Sequence, residues 1–566
     1  MAETLCKQAI YGNSYLDLII EYSGEVETIY QQYDPSCVQF INYRYAVIHL
    51  DGAVYPPYSI AQYGYHTIPK CFGLMDQSSM QEIGVIRVQE LEALQLRGRG
   101  ILIGMIDTGI DYTNPIFQNA DRSSRIVSIW DQTIEQGTSP EAFPYGAEYT
   151  KEMIDMALKT ENPRELVPTV DENGHGTFLA GIAAGRRDEE GNFIGAAPDS
   201  ELVVVKVKEA KQSLKKFHEL YTDQVVYQEN DIMTGLAYLL RVARRLLRPM
   251  AICIGFGSNQ GGKEGKGPIS SYLSGIAESS GVCVVACGGN EGLARNHYYG
   301  GGRKGQYVES VELNVGIEQG FSMELWGRSP NTYSISLRSP GGEVIPRIPP
   351  GLVESREVQL ILERTRVRVD YQLIESGTGD EVIVLAFENP TQGIWTIDVY
   401  CDELSEFGFH IWLPINNFLS EDTYFIRSNP DTTLVVPGTT PSVITLNAYR
   451  HTDNSLYLES SRGYGRGCEI KPDMAAPGVD VYGPNTRHGY TRKSGSSIAA
   501  AHGTGVAALL LEWGILRGNA PNMDTNEVKK LLIRGAVRSG ERVYPNREWG
   551  YGRLNIFETF QRLTRL

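Results

Sequence analysis

Asp107, His175 and Ser497 each stand in a local context that suits chemistry. Asp107 opens Asp107-Thr108-Gly109 directly after the apolar run ILIGMI. Its carboxylate is expected at the carboxyl end of a buried strand, where α/β sheets present the groups that meet ligands. His175 lies in Asn173-Gly174-His175-Gly176-Thr177, whose glycines leave the imidazole unobstructed. Ser497 follows Ser494-Gly495-Ser496 and leads into a long apolar stretch, which places it at a helix N-terminus. There the free N–H groups and the helix dipole favour developing negative charge. Alone, each residue has a plainer reading: a capping aspartate, a structural histidine, an N-cap serine. The order Asp…His…Ser is that of one convergent set of nucleophile–base–orienter relays, in which a serine attacks a carbonyl. A DTG also marks aspartic proteases, but those need a second aspartate motif, and no second DTG or DSG occurs. The nucleophile elbow GxSxG fails, because Ala499 replaces its final glycine.

These residues need a rigid frame. ILIGMID (101–107), LVVVKV (202–207), MAICIGF (250–256) and GVCVVACG (281–288) are short runs rich in Val and Ile, and DIMTGLAYLLRVARRL (231–246) has helical spacing. Continuous apolar strands separated by helices predict a parallel sheet covered on both faces, an α/β fold. The stretch 497–516 predicts a long apolar helix. From about 305 to 425 the pattern changes to short alternating strands with Gly, Pro and Asn turns: YVESVELNV, FSMELWG, YSISLRS, EVQLILE, VRVDYQLI, EVIVLAF, GIWTIDVY and FGFHIWLP. That predicts an inserted all-β sandwich or jelly roll. Residues 1–80 read as a small α+β unit, with strands at YLDLIIEYS and YAVIHLD and a helix at VETIYQQY. QYGYHTIPKCFGLMDQSS then reads as a linker and processing region. The resulting division is 1–80, 81–300, 301–427 and 428–566.

Composition narrows the function. The 566 residues are 42% hydrophobic and 21% charged, an ordinary globular balance. A formal net charge of −16 speaks against nucleic acid as a partner. Eight cysteines are scattered without a CxxC pair, so no zinc site is expected; Cys253, Cys283 and Cys287 read as small buried hydrophobes, and the pattern suits a reducing compartment. No signal peptide and no membrane-spanning run is read, so cytoplasmic synthesis is expected.

IDTGID, NGHGTFLAGIAAG and SGSSIAAAHGTGVAALL resemble the subtilisin-like serine proteases, the subtilases, supported by IGAAPDSELVVVKV, ACGGNEG, TTPSVITLNAY and DMAAPGVDV. The resemblance implies a serine endopeptidase with Asp107, His175 and Ser497 as triad and Asn290 as oxyanion-hole donor. It implies substrate-backbone contacts at Gly255, Phe256 and Gly257, and a pocket wall at Gly288 and Gly289. The plain alternative for Asn290 is a turn residue. The family's Met-Ala and Ser-Pro after the nucleophile are Ile498-Ala499 and Ala500-Ala501 here. The early Asp that ligates a structural calcium in many subtilases aligns near Ile116, so no metal and no cofactor is expected. The Asp188-Glu189-Glu190 loop reads as a solvated surface. The N-terminal unit resembles a subtilase prodomain, an intramolecular inhibitor whose cut falls within 63–82. The whole architecture is similar to the Csp-type germination proteases of clostridial spores, which implies a spore association and a cortex-lytic hydrolase precursor as protein substrate. A catalytically silent signalling scaffold is the rival reading; the intact Asp107, His175, Ser497 and Asn290 oppose it.

Overall fold

Strands with no polar alternation must be covered on both faces, and here they are. The computed structural model describes residues 2–22, 29, 30, 33, 35–74, 80, 82–302, 308–402 and 407–563. Its central sheet contains β1 (Leu102–Asp107), β2 (Ile126–Asp131), β3 (Ala147–Thr150), β4 (Glu201–Lys206), β5 (Met250–Ile254), β6 (Val282–Cys287), β7 (Ile444–Arg450), β8 (Ser455–Leu456) and β9 (Met474–Pro477). The order is β8-β7-β6-β5-β1-β4-β2-β3, with β9 on β7. Pairings are parallel except β2–β3 and β7–β8. Alternate residues of β1 feed two cores. Ile103 and Met105 pack with helices α1 (His175–Ala184) and α3 (Ser496–Leu511). Leu102 and Ile106 pack with α2 (Glu229–Leu246) and the helix Pro268–Ala277.

Helices α1 and α3 touch through small residues. A Cβ on Gly505 would meet Ala196 Cβ at 2.4 Å and Ala183 O at 2.7 Å. That close approach brings the starts of both helices to one end of the sheet. The helical stretch Ser496–Leu516 has 21 residues and a mean hydropathy of 1.3, long and apolar enough to cross a membrane by length and composition alone. The fold accounts for this: 89% of its apolar window is buried inside the protein.

The β-rich insert forms two antiparallel sheets of six and five strands around their own core. The outer face of the six-stranded sheet carries Trp326, Val382, Val384 and Trp412 into the core of the α/β part. At that seam His297 Nε2 lies 2.9 Å from His410 Nδ1, and both rings stack on Trp412.

The N-terminal unit has a helix, Ala2–Tyr11, and an antiparallel sheet ordered Tyr15–Glu21, Tyr45–Asp51, Cys37–Phe40. Most of VETIYQQY lies outside the described residues. The structure joins Cys6 to Cys37 as a disulfide, a departure from the reduced state that the scattered cysteines suit. The cause is geometric: helix and strand pack with these Cα atoms 4.7 Å apart. Cys253, Cys283 and Cys287 are free and buried, as expected.

Several histidines are buried, with cationic rather than acidic groups as their charged neighbours. Burial pushes His218 and His297 down to about 3, and His410 down as well. The unfolded chain therefore takes up protons below about pH 6.5 that the folded chain refuses. The histidine contribution to stability should be full above that pH and fall on acidification, by up to about 1.4 kcal/mol per pH unit for each ring. The drop in urea midpoint from pH 7 to pH 5 should be smaller in His218→Gln than in the parent chain; an equal drop would contradict a buried neutral ring.

Candidate active site

Asp107 ends β1 and is fully buried. Its Oδ1 accepts from Thr108 N at 2.8 Å and lies 2.7 Å from His175 Nδ1. A carboxylate acceptor places the proton on Nδ1, which leaves the Nε2 lone pair facing Ser497 Oγ at 3.2 Å. Asp107, His175 and Ser497, expected together from the sequence, are brought into one relay.

A fourth residue, Asp171, holds the turn in front of His175. Its carboxylate accepts from Gly174 N (2.8 Å), Thr177 N (2.8 Å), Thr177 Oγ1 (2.7 Å) and Thr108 Oγ1 (2.7 Å). It caps α1 and at the same time ties that helix to the residue after Asp107. Gly176 is required between them: its Cβ would meet Gly109 O at 2.1 Å and Asp107 Cβ at 3.1 Å. Sequence reasoning missed Asp171. Its position shortly before a helix-starting NGHGT was the available signal.

Ser497 is the second residue of α3, in the first turn, whose N–H groups have no intrahelical acceptor. Asn290 Oδ1 accepts from Ser496 N at 3.0 Å, which turns the amide nitrogen of Asn290 the other way. Gly289 N donates to Ser496 Oγ at 3.0 Å, so the Gly288-Gly289-Asn290 turn is clamped to the start of α3.

The expected substrate strand is already paired. Cys71–Leu74 is the middle of a three-stranded antiparallel sheet between Phe256–Gly257 and Tyr227–Gln228. Leu74 pairs with Phe256 and Gly73 with Gly257, while Phe72 pairs with Tyr227 and Cys71 with Gln228. Gly255 lies nearer the relay: its Cβ would stand 3.1 Å from Asp107 Oδ2 and 3.2 Å from His175 Cε1. Its hydrogen side chain makes room for the ring. Tyr227, Gln228 and Val435 were not legible as site residues. A Cβ on Gly257 would meet Val435 Cγ2 at 2.2 Å, and one on Gly289 would meet Cγ1 at 2.7 Å. Val435 therefore fills the space between the two glycine walls.

A family model described as the subtilase family matches residues 98–313 and 419–552. The chain belongs to the subtilase family. The solved structure of the Clostridium perfringens CspB protease is similar at 29% identity and a TM-score of 0.76, covering 86% of this chain and 97% of that one. An intracellular serine protease of Paenibacillus polymyxa is 23% identical over 257 residues, 45% of this chain and 61% of the relative. The major intracellular serine protease of Bacillus subtilis is 28% identical over 135 residues, 24% of this chain and 32% of the relative. The chain thus spans less than two thirds of the length of these two relatives.

In this subtilase the relay is buried and Asp107 Oδ2 has no hydrogen-bond donor among the described residues. The carboxylate, held through Oδ1, faces the imidazole, the arrangement that stabilises an imidazolium. Among the described residues no cluster of three His, Cys, Asp or Glu side chains could hold a metal ion. Replacing Asp171 with alanine would leave four donors without their acceptor. We expect a loss of about 2–4 kcal/mol of stability, with Asp171→Asn milder because it keeps one acceptor oxygen. Chemical denaturation of the two variants against the parent chain measures it, and an Ala variant as stable as the parent would refute the capping role.

Proposed function

We propose that this subtilase is a serine endopeptidase that cuts its own N-terminal unit. The observation that carries the reading is the strand Cys71–Leu74, held between Phe256–Gly257 and Tyr227–Gln228 beside the Asp107–His175–Ser497 relay. Adding an extended segment to two enzyme strands is the way a backbone is fixed for attack without regard to most side chains. On this reading residues 1–80 are a prodomain, 81–300 and 428–566 form the catalytic domain, and 301–427 the insert. The bond cut lies downstream of Leu74, in a stretch where residues 75–79 and 81 fall outside the described part.

The chemistry follows the geometry. His175 Nε2 takes the Ser497 proton as Oγ attacks the peptide carbonyl, and Asp107 steadies the imidazolium. The Asn290 amide and the Ser497 backbone N–H donate to the oxyanion of the tetrahedral intermediate. His175 then gives its proton to the leaving amine. A water, deprotonated by the same ring, hydrolyses the acyl-enzyme.

The physiological substrate is the finer part of the proposal. Similarity to the CspB protease over most of both chains supports a role in proteolysis. We assign as substrate a protein precursor, a cortex-lytic hydrolase zymogen cut during spore germination, with the enzyme made in the cytoplasm and carried with the spore.

Expression of the full chain should yield two fragments, and Ser497→Ala a single one. The new N-terminus, read by mass spectrometry, should lie after Leu74. A wild-type chain that stays uncut in purified, refolded form would overturn the reading. Asn290→Ala should slow the cut by about 10²–10³-fold without preventing folding. An unchanged rate would remove Asn290 from the oxyanion hole.

A further inference from the structure

Arg125 is almost wholly buried at the start of β2. Its guanidinium reaches three backbone oxygens from three separate segments. Nη1 donates to Ala184 O at 2.7 Å and to Ile116 O at 3.2 Å, and Nη2 donates to Ser200 O. Ile116 belongs to the turn that follows the Asp107 loop, Ala184 ends α1 behind His175, and Ser200 precedes β4. Arg186 N also donates to Ile116 O, at 2.9 Å. Carbonyl oxygens converging from several segments on one point are what a hard divalent cation uses as ligands.

Many subtilases hold a structural calcium with an early aspartate, and here that position is near Ile116. The donor set does not fit the ion. The Ile116 side chain is apolar and buried, and its carbonyl already accepts two N–H groups. Of the carboxylates nearby, Asp199 pairs with Arg97 and Arg99, Glu201 pairs with Arg248 and Asp188 accepts from Tyr490 Oη, while Glu189 lines the same space. Arg97, Arg99, Arg186, Arg187 and Arg248 line an adjoining cavity of about 750 Å³. A divalent cation approaching from it would meet a net positive lining, six arginines with Arg125 counted against four carboxylates.

We propose that the Arg125 guanidinium takes the place of a structural divalent cation, so that the fold is held at this point without metal. The planar fork serves the purpose as an ammonium would not: two nitrogens address three oxygens in fixed directions. Burial draws its pKa down only to about 10, so the group is still charged at neutral pH. The three segments joined are those that carry Asp107, His175 and the strand beside β1. The clamp thus supports the relay from below without touching it.

The test is thermal and chemical unfolding of the full chain, independent of any proteolytic activity. Wild type should unfold at the same midpoint in chelator and in millimolar calcium, and elemental analysis should find no stoichiometric calcium. Arg125→Ala leaves the buried Ala184 and Ser200 carbonyls without a donor and Ile116 O with Arg186 N alone, and should raise the unfolding constant by about 10²-fold or more. Arg125→Lys, which keeps charge but loses the fork, should fall between the two. An Arg125→Ala chain that fails to fold while Arg125→Lys folds with reduced stability supports the proposal equally. A wild-type midpoint that drops on chelation or rises with calcium overturns it, as do variants that match wild type.

Discussion

The hydrogen bond between Asp107 and His175 joins the last residue of a buried strand to the first residue of a buried helix. Neither partner can move alone. β1 is held on both sides by parallel neighbours, and α1 is pressed against α3 through glycine and alanine. The short distance is therefore a property of the fold rather than of two side chains finding each other. Asp171 makes the constraint explicit, because one carboxylate accepts from both the helix start and the residue beside Asp107. Preorganisation of this kind is what lets a weak nucleophile act, since little reorganisation remains when charge develops.

The N-terminal unit is fixed by a buried polar knot rather than by apolar contact alone. Asp17 Oδ1 lies 2.5 Å from both His49 Nδ1 and Lys211 Nζ, and Gln228 Nε2 donates to Asp17 Oδ2 at 2.7 Å. Gln228 is also the residue paired with Cys71. A buried ionic cluster adds little net stability but punishes any misplacement, because a shifted partner leaves a charge unpaired. The knot thus specifies where the unit sits, and with it the register in which Cys71–Leu74 lies between its neighbouring strands. A second set of contacts works from the insert: Tyr65 Oη donates to Glu324 and His66 pairs with Glu375.

How much of this was legible depends on whether the signal was local. Four of the seven strands in parallel pairings were, because each is a short apolar run rich in Val and Ile. The relay was legible because each residue sits at a strand end, between glycines or at a helix start, and the order Asp…His…Ser decided between that reading and the plainer one each residue has alone. In the insert, the alternation located most strands, but EVQLILE was misjudged: the strand ends at Gln359, where Leu360 N turns back to Thr365 O. The strand Val344–Ile348 was missed because Pro346 argues against a ladder, and it is tolerated there at the sheet's edge. His297–Gly302 was missed because its glycines carry no strand signal; its pairing with Phe407–Trp412 defines it. Val435, Tyr227 and the Cys6–Cys37 pair depend wholly on distant partners, and no local pattern announces them.

The insert's place in the argument follows from one side chain. Glu291 directly follows Asn290 and is buried; its carboxylate accepts from Asn259, from Asn296 and from the backbone N–H of Asn416 on the insert's return. Burial pushes its pKa up to about 7, and burial likewise pulls the neighbouring Lys263 down to about 7. Two such groups under the sandwich are tolerable only while the insert covers them and supplies donors. A freely moving, separately functioning β module would expose this pocket to water and release the turn that carries Asn290. The insert therefore acts as a wall of the α/β part, and the turn that presents the Asn290 amide is held in place by a residue outside the catalytic sheet.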